Sequence, residues 1–132
     1  GLTPQALDTA KPVEGGYLIN GNKRWIGNVT IGDYMILWAR NTETKKIQGF
    51  VLDLKSKGVD AKKIEGNTLL ECLNADVSFT NVFVPANAKL EKADDFVTGA
   101  NQILMKSRLN VAWAAIGASC GAYDACIKYI MN

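Results

Sequence analysis

A chain of 132 residues with 48% hydrophobic side chains, 15 basic and 13 acidic groups and a formal charge of +2 can bury one modest core and bears no mark of disorder or of a collagen-like fibre. The balanced charge excludes nucleic-acid binding through bulk electrostatics. The sequence contains no histidine, which removes Ser-His and Cys-His catalysis and argues against a zinc site, so any acid–base chemistry falls to a carboxylate or a cofactor.

Cys72, Cys120 and Cys126 form neither a closely spaced metal pair nor a disulfide framework, so a reducing, intracellular compartment is expected. No apolar run approaches the roughly 20 residues that span a bilayer. The chain starts with neither a basic nor an apolar signal region, and it reads as soluble with no membrane span. Asn28-Val29-Thr30 satisfies the glycosylation pattern by chance, and Lys45-Lys46 and Lys62-Lys63 read as solvated loop or strand ends.

From about Thr9 to Val84, short β-type runs alternate with turn residues at the spacing of an antiparallel barrel or sandwich. The strands are predicted at 10–13, 17–20, 23–26, 34–40, 48–54, 59–64, 72–79 and 82–84. Asn20-Gly21 between Tyr17-Leu18-Ile19 and the run from Lys23 to Ile26 reads as a tight hairpin turn. Tyr34-Met35-Ile36-Leu37-Trp38 reads as a strand covered on both faces, followed by an exposed hairpin tip from Asn41 to Lys46.

Beyond Pro85 the character changes, and from about Phe96 onward the residues favour helix. A domain boundary is expected near Leu90, giving a β-domain at 1–90 and the start of a helical domain at 91–132. Leu109, Trp113, Ile116, Cys120, Tyr123, Ile127 and Ile130 fall in one apolar stripe, and Ala114, Ala118, Gly121 or Ala122, and Ala125 form a second stripe of small residues. The pattern is still running at Asn132, without a capping glycine or proline. The fold class is therefore α+β: an antiparallel β-barrel or sandwich, then a long C-terminal helix that belongs to an otherwise missing helical bundle. Packing of one stripe on the β-domain is the alternative cover. An exposed stripe of this length implies self-association or a partner.

The stretch Glu14-Gly15-Gly16-Tyr17-Leu18-Ile19-Asn20-Gly21-Asn22-Lys23-Arg24-Trp25-Ile26-Gly27-Asn28 resembles the middle β-domain of the acyl-CoA dehydrogenase and acyl-CoA oxidase flavoproteins, where such a run precedes the flavin contact. The likeness continues through Ala39-Arg40-Asn41, Gly49-Phe50, Asn81-Val82-Phe83-Val84-Pro85, Ser107-Arg108, Ala112-Trp113 and Ile116-Gly117. Within the family it is similar to the plant peroxisomal short-chain acyl-CoA oxidases and the glutaryl-CoA dehydrogenases.

The resemblance implies a fragment of an FAD-dependent enzyme that oxidises an acyl-CoA to the trans-2-enoyl-CoA, acting as a dimer or tetramer in the mitochondrial matrix or peroxisome. It implies flavin contacts at Trp25, Ile26, Gly27 and Asn28, and substrate contacts at Thr30, Arg40, Asn41 and Arg108. Gly27 stands where dehydrogenases carry a hydroxyl near flavin N5, a lean toward the oxidase branch. No catalytic residue and no metal ligand are assigned: Ser107 occupies the position before Arg108 where some relatives place the catalytic glutamate, and the family's other position for it is expected beyond Asn132. The family's upstream Thr-Glu-Pro and Gly-Ser-Asp elements are absent, and the chain is expected to begin just after them. Thr68-Leu69-Leu70 and Leu90-Glu91-Lys92 also depart from the family pattern. The alternative reading is a non-catalytic remnant or split subunit that uses the β-domain as an assembly module.

Overall fold

A computed structural model describes residues 8–66 and 73–131. Six strands and one long helix follow in chain order: β1 (Thr9–Val13), β2 (Gly16–Gly27), β3 (Tyr34–Asn41), β4 (Ile47–Asp53), β5 (Val59–Lys63), β6 (Asn74–Pro85) and α1 (Ala100–Met131), with a 3-10 turn at Ala86–Ala88 before the helix. The class is α+β, as the sequence leads one to expect. The expected Thr68 to Leu70 departure and the start of the strand predicted at 72 lie outside the described residues.

The strands form one sheet in the order β4-β3-β1-β2-β6-β5, and among the described residues it is open. Four of its pairings are antiparallel; β1 and β3 run parallel, through Thr9↔Arg40 and Ala10↔Asn41. The sheet curls, because the Tyr17 ring on β2 meets Phe50 on β4 edge-on at 5.0 Å although two strands separate them. The concave side holds the core: Ile19, Leu37, Phe50, Leu52, Val77, Val82 and Val84 are all essentially inaccessible to solvent.

The hairpin expected at Asn20-Gly21 does not form. β2 is one continuous strand from Gly16 to Gly27, and the turn lies earlier, at Glu14-Gly15, where Gly15 takes φ +76° and Val13 pairs with Gly16. Asn20 instead faces a bulge in β6 at Thr80-Asn81, where the register slips by one residue between Ile19↔Val82 and Gly21↔Phe79. The two asparagines clasp each other: Asn20 Nδ2 donates to Asn81 Oδ1 at 3.0 Å, and the Asn81 backbone N–H donates to Asn20 Oδ1 at 2.9 Å. This pair carries Asn81 through φ 49°, so the runs predicted at 72–79 and 82–84 are one strand.

The strand expected to be covered on both faces is covered on one. Leu37 and Ala39 point into the core, whereas Tyr34 and Ile36 are 67% and 48% exposed. Trp38 is half-buried beside Leu90, Ala93 and Gly99, where a Cβ on Gly49 would stand 2.8 Å from the indole ring. That segment also shields β4, an end strand of the sheet, as Leu90 N–H donates to Gly49 C=O at 2.9 Å. A polar chain holds it in place: Asn41 Nδ2 donates to Gln48 Oε1, Gln48 Nε2 to Asp94 Oδ1, and Lys89 Nζ to the same Asp94 oxygen.

The chain divides into two compact units, Gly1–Ala100 and Asn101–Asn132. The second is formed by α1, which starts at Ala100 rather than near Phe96 because Asp95 Oδ1 accepts from both the N–H and the hydroxyl of Thr98 and holds a turn there. Within α1, Leu109, Trp113, Ile116, Tyr123 and Ile130 are exposed. A helix apolar on more than one face finds cover in a larger core or assembly. No described helix is long and apolar enough to cross a membrane.

Candidate functional site

β2 carries the site because it outruns its neighbour. Its pairs with β1 end at Asn20↔Thr9, while its pairs with β6 continue to Gly27. β3 likewise touches β1 only at Arg40 and Asn41. Past the start of β1, residues 22–27 of β2 and 34–38 of β3 therefore face one another across a gap with no described strand between them. A groove of about 520 Å³ fills this gap, lined by Lys23, Ile26 and Gly27 on one side and Tyr34, Met35, Ile36 and Trp38 on the other.

Its closed end is charged and buried. Lys23 and Asp8, at 8% and 1% exposure, form an ion pair, and Lys23 Nζ also donates to the Trp38 C=O at 3.1 Å. Glycine is required at position 21 because a Cβ there would stand 2.7 Å from Asp8 Cα. Asp8 thus packs against the bare backbone of Gly21 and receives the charge of Lys23.

At the open end β2 bulges. Between Lys23↔Val77 and Ile26↔Ala75, two residues, Arg24 and Trp25, oppose the single Asp76. Trp25 adopts φ 63°, a left-handed conformation that a bulky side chain takes at a cost of roughly 1–3 kcal/mol and that clusters at ligand sites. Its ring is 57% exposed, with the Arg24 guanidinium 5.2 Å from the centroid. Arg24 is anchored to Asp76 at 3.4 Å. Gly27 ends the strand without a side chain. Asn28, at φ 61°, then starts a turn in which its C=O accepts from the N–H groups of Ile31 and Gly32 and its own N–H donates to Leu73 C=O. Val29 is buried beneath this turn, while Thr30 and Ile31 stay exposed.

Of the residues expected to contact ligand, Trp25, Ile26, Gly27, Asn28 and Thr30 lie together at the open end, flanked by exposed Tyr34 and Ile36. Arg40 does not join them. It sits level with Asn20 through Thr9, seven residues back along the strand direction from Gly27, or about 20 Å. Its Nε is buried with no hydrogen-bond partner among the described residues. Asn41 is buried and engaged: its Oδ1 accepts from the N–H groups of Glu43 and Thr44 at 2.9 and 3.1 Å, closing the hairpin tip. Arg108 is exposed on α1, after Ser107, whose hydroxyl donates back to Leu104 C=O at 3.1 Å.

Lys23, Arg24 and Asp8 were not singled out from sequence. The available cue is the adjacent pair Lys23-Arg24 just before Trp25, in a run that is otherwise apolar or turn-forming.

The open end can take a planar, conjugated group: an exposed indole held at a fixed backbone angle, a glycine that lets another ring approach, and exposed apolar neighbours that such a ring would cover. Comparison with known proteins gives the family. Residues 1–82 match the model of the acyl-CoA dehydrogenase middle domain. The chain is 34% identical over 117 residues to the caffeyl-CoA reductase-Etf complex subunit CarC of Acetobacterium woodii, covering 86% of this chain and 31% of that protein. It is 29% identical over 126 residues to the mitochondrial isovaleryl-CoA dehydrogenase of Arabidopsis thaliana, covering 92% and 31%. The crystal structure of a Mycobacterium smegmatis glutaryl-CoA dehydrogenase in complex with FADH2 superimposes with a TM-score of 0.66 at 25% identity, over 73% of this chain and 25% of that one. The chain thus spans about a third of the length of these curated relatives. By the match over residues 1–82, the chain belongs to the acyl-CoA dehydrogenase middle-domain family.

Proposed function

We propose that this chain is part of an FAD-dependent acyl-CoA dehydrogenase or oxidase, with residues 1–90 as the β-domain wall of the flavin and thioester site and 91–132 as the start of a C-terminal helical domain. The observation that carries the reading is Trp25: an exposed indole in the left-handed region, on a bulge, beside a glycine. A core tryptophan would be buried in ordinary strand geometry. Strain of this kind persists where the surroundings demand one orientation of the side chain.

Bound FAD would supply the hydride acceptor for the β-carbon of an acyl-CoA thioester, once a carboxylate from outside this chain has taken the α-proton. The residues here orient and shield. The Trp25 ring offers a flat wall, with Arg24 behind it fixing its angle. Ile26 and Gly27 allow close approach of main chain to a ring, and the Asn28 turn places the Thr30 hydroxyl at the rim. Arg40 and Arg108 carry positive charge suited to the phosphates and thioester of the substrate. The committed amide of Asn41 acts by holding the hairpin next to Arg40. Gly27 supports the oxidase branch, since it brings no hydroxyl. The name of the Arabidopsis relative supports a mitochondrial setting, with the peroxisome as the other candidate, and the exposed stripe of α1 supports a homo-oligomer.

The test is to reconstitute the full polypeptide with FAD and add acyl-CoA thioesters of graded chain length without oxygen. Bleaching of the visible flavin band by at least one thioester is expected. A protein that stays colourless after reconstitution contradicts the reading, and one that binds flavin without bleaching points to the non-catalytic module.

A further inference from the structure

We infer that Asn20-Gly21 is a site of spontaneous deamidation that the fold holds shut through the clasp between Asn20 and Asn81. It is the one Asn-Gly pair in the sequence. The chemistry needs no enzyme: the Gly21 nitrogen gives its proton to water or hydroxide and attacks Asn20 Cγ, the new N–Cγ bond closes a succinimide ring, and the Cγ–Nδ2 bond breaks to release ammonia. Water then opens the ring. Cleavage at Cγ leaves aspartate, and cleavage at the main-chain carbonyl leaves isoaspartate, in which the backbone runs through the side-chain carbon. Glycine hinders the attack least, because it has no Cβ.

In a solvent-facing hairpin turn nothing would stand in the way of this reaction. The fold puts the pair in mid-strand instead, and three contacts immobilise Asn20. Its Nδ2 donates to Asn81 Oδ1 at 3.0 Å, its Oδ1 accepts from the Asn81 N–H at 2.9 Å, and its C=O accepts from the Thr9 hydroxyl at 3.3 Å. The side-chain amide is thereby drawn across to β6, while the pairing of Gly21 with Phe79 fixes the attacking nitrogen. Swinging Cγ onto that nitrogen requires the clasp to open. Asp8 is a second obstacle, because its carboxylate packs against Gly21 and an anionic nitrogen would form beside a like charge.

The two products act differently on the sheet. Aspartate still accepts from the Asn81 N–H, and turning over the Asn81 amide offers it a second donor. Isoaspartate lengthens the main chain by one carbon where β2 and β6 already slip by one residue in register. That added length upsets the match of the bulge, on which the inward and outward alternation beyond it depends. Residues 22–27 of β2, Trp25 among them, lie beyond that joint.

The test ages the full polypeptide at mildly alkaline pH and follows the peptide that carries Asn20 by mass spectrometry. The folded parent is expected to deamidate at least about tenfold more slowly than the same chain in strong urea, since attack waits on local opening. Asn81→Gly removes the side-chain acceptor and relieves the φ of 49°. It should speed deamidation of the folded protein about threefold or more, as the loss of one hydrogen bond implies. Asn81→Asp keeps an acceptor and is expected to stay as slow as the parent. A further sample, the parent in just enough urea to match the melting temperature of Asn81→Gly, is expected to remain slower than that variant; Asn81→Ala takes the variant's place if it does not fold. The isoaspartyl fraction is expected to melt below the parent. Equal rates for folded and urea-unfolded parent overturn the proposal, as does an Asn81→Gly protein no faster than the parent. A stability-matched parent as fast as the variant also overturns it, as does an isoaspartyl fraction that melts with the parent.

Discussion

Lys23 and Asp8 form a buried ion pair where β1 stops separating β2 from β3, and the same ammonium donates to the Trp38 carbonyl. The pair closes the inner end of the gap on which the candidate site is built. Removing one partner leaves the other charge buried and alone, so Lys23→Met is expected to lower stability by about 3–5 kcal/mol. The double variant with Asp8→Ala should recover at least half of that loss. Urea unfolding followed by tryptophan fluorescence measures both.

The asparagine clasp across the β6 bulge makes a second, smaller prediction. Asn20→Ala removes an acceptor from the Asn81 N–H and a donor to its side chain, and two hydrogen bonds at this partly exposed site are worth about 1–2 kcal/mol together. Gly21→Ala should cost about 1–3 kcal/mol, because its Cβ would be driven into Asp8. If Asn20-Gly21 were a solvent-facing hairpin turn, the alanine at 21 would meet no such obstacle. Denaturation midpoints for the two variants separate the cases.

Acid should loosen the segment that shields β4. A side-chain hydrogen bond from Lys89, then its charge, then a hydrogen bond from Gln48, hold the Asp94 carboxyl below its ordinary value of 3.8. A carboxyl with a lowered pKa in the folded state stabilises above its unfolded value, and that contribution is lost as pH falls through the folded value. The melting temperature of the native chain should therefore exceed that of Asp94→Asn at neutral pH. The difference should begin to shrink near pH 3.8 and close below it. High salt should narrow it at neutral pH, since the group is exposed.

The helix should govern assembly. Trp113 and Ile116 are 66% and 54% exposed on α1, and contiguous apolar surface of this kind drives association. Trp113→Glu combined with Ile116→Lys is expected to shift the protein toward smaller species in sedimentation velocity, without changing the melting of the β-domain. An unchanged distribution would place the association surface elsewhere.

Much of the sheet is legible from alternating runs and turn residues, and the helix from its composition. What misleads is local. Asn-Gly between apolar runs is the strongest short-range hairpin signal, yet here it is spent on a bulge and on the approach of Asp8, a residue far outside the window that a turn motif reads. The Tyr34 to Trp38 run reports surface that must be covered without saying by what. Leu90 and Gly99 cover Trp38, and Tyr34 and Ile36 are left for something else. At the site, the aromatic and the glycine stand out in sequence. The left-handed turn of Trp25 does not, because no residue type there demands it and only the register against Asp76 imposes it.

The claim that Trp25 forms a flavin wall is tested most directly by titrating FAD into the full polypeptide and into its Trp25→Ala variant, reading visible absorbance. The ring is exposed, so its removal should leave the fold and its melting temperature close to those of the parent. An affinity at least about tenfold weaker, some 1.4 kcal/mol, is expected for the variant, with Trp25→Phe in between. Equal affinities for parent and variant, or a parent that takes up no flavin, would contradict the account.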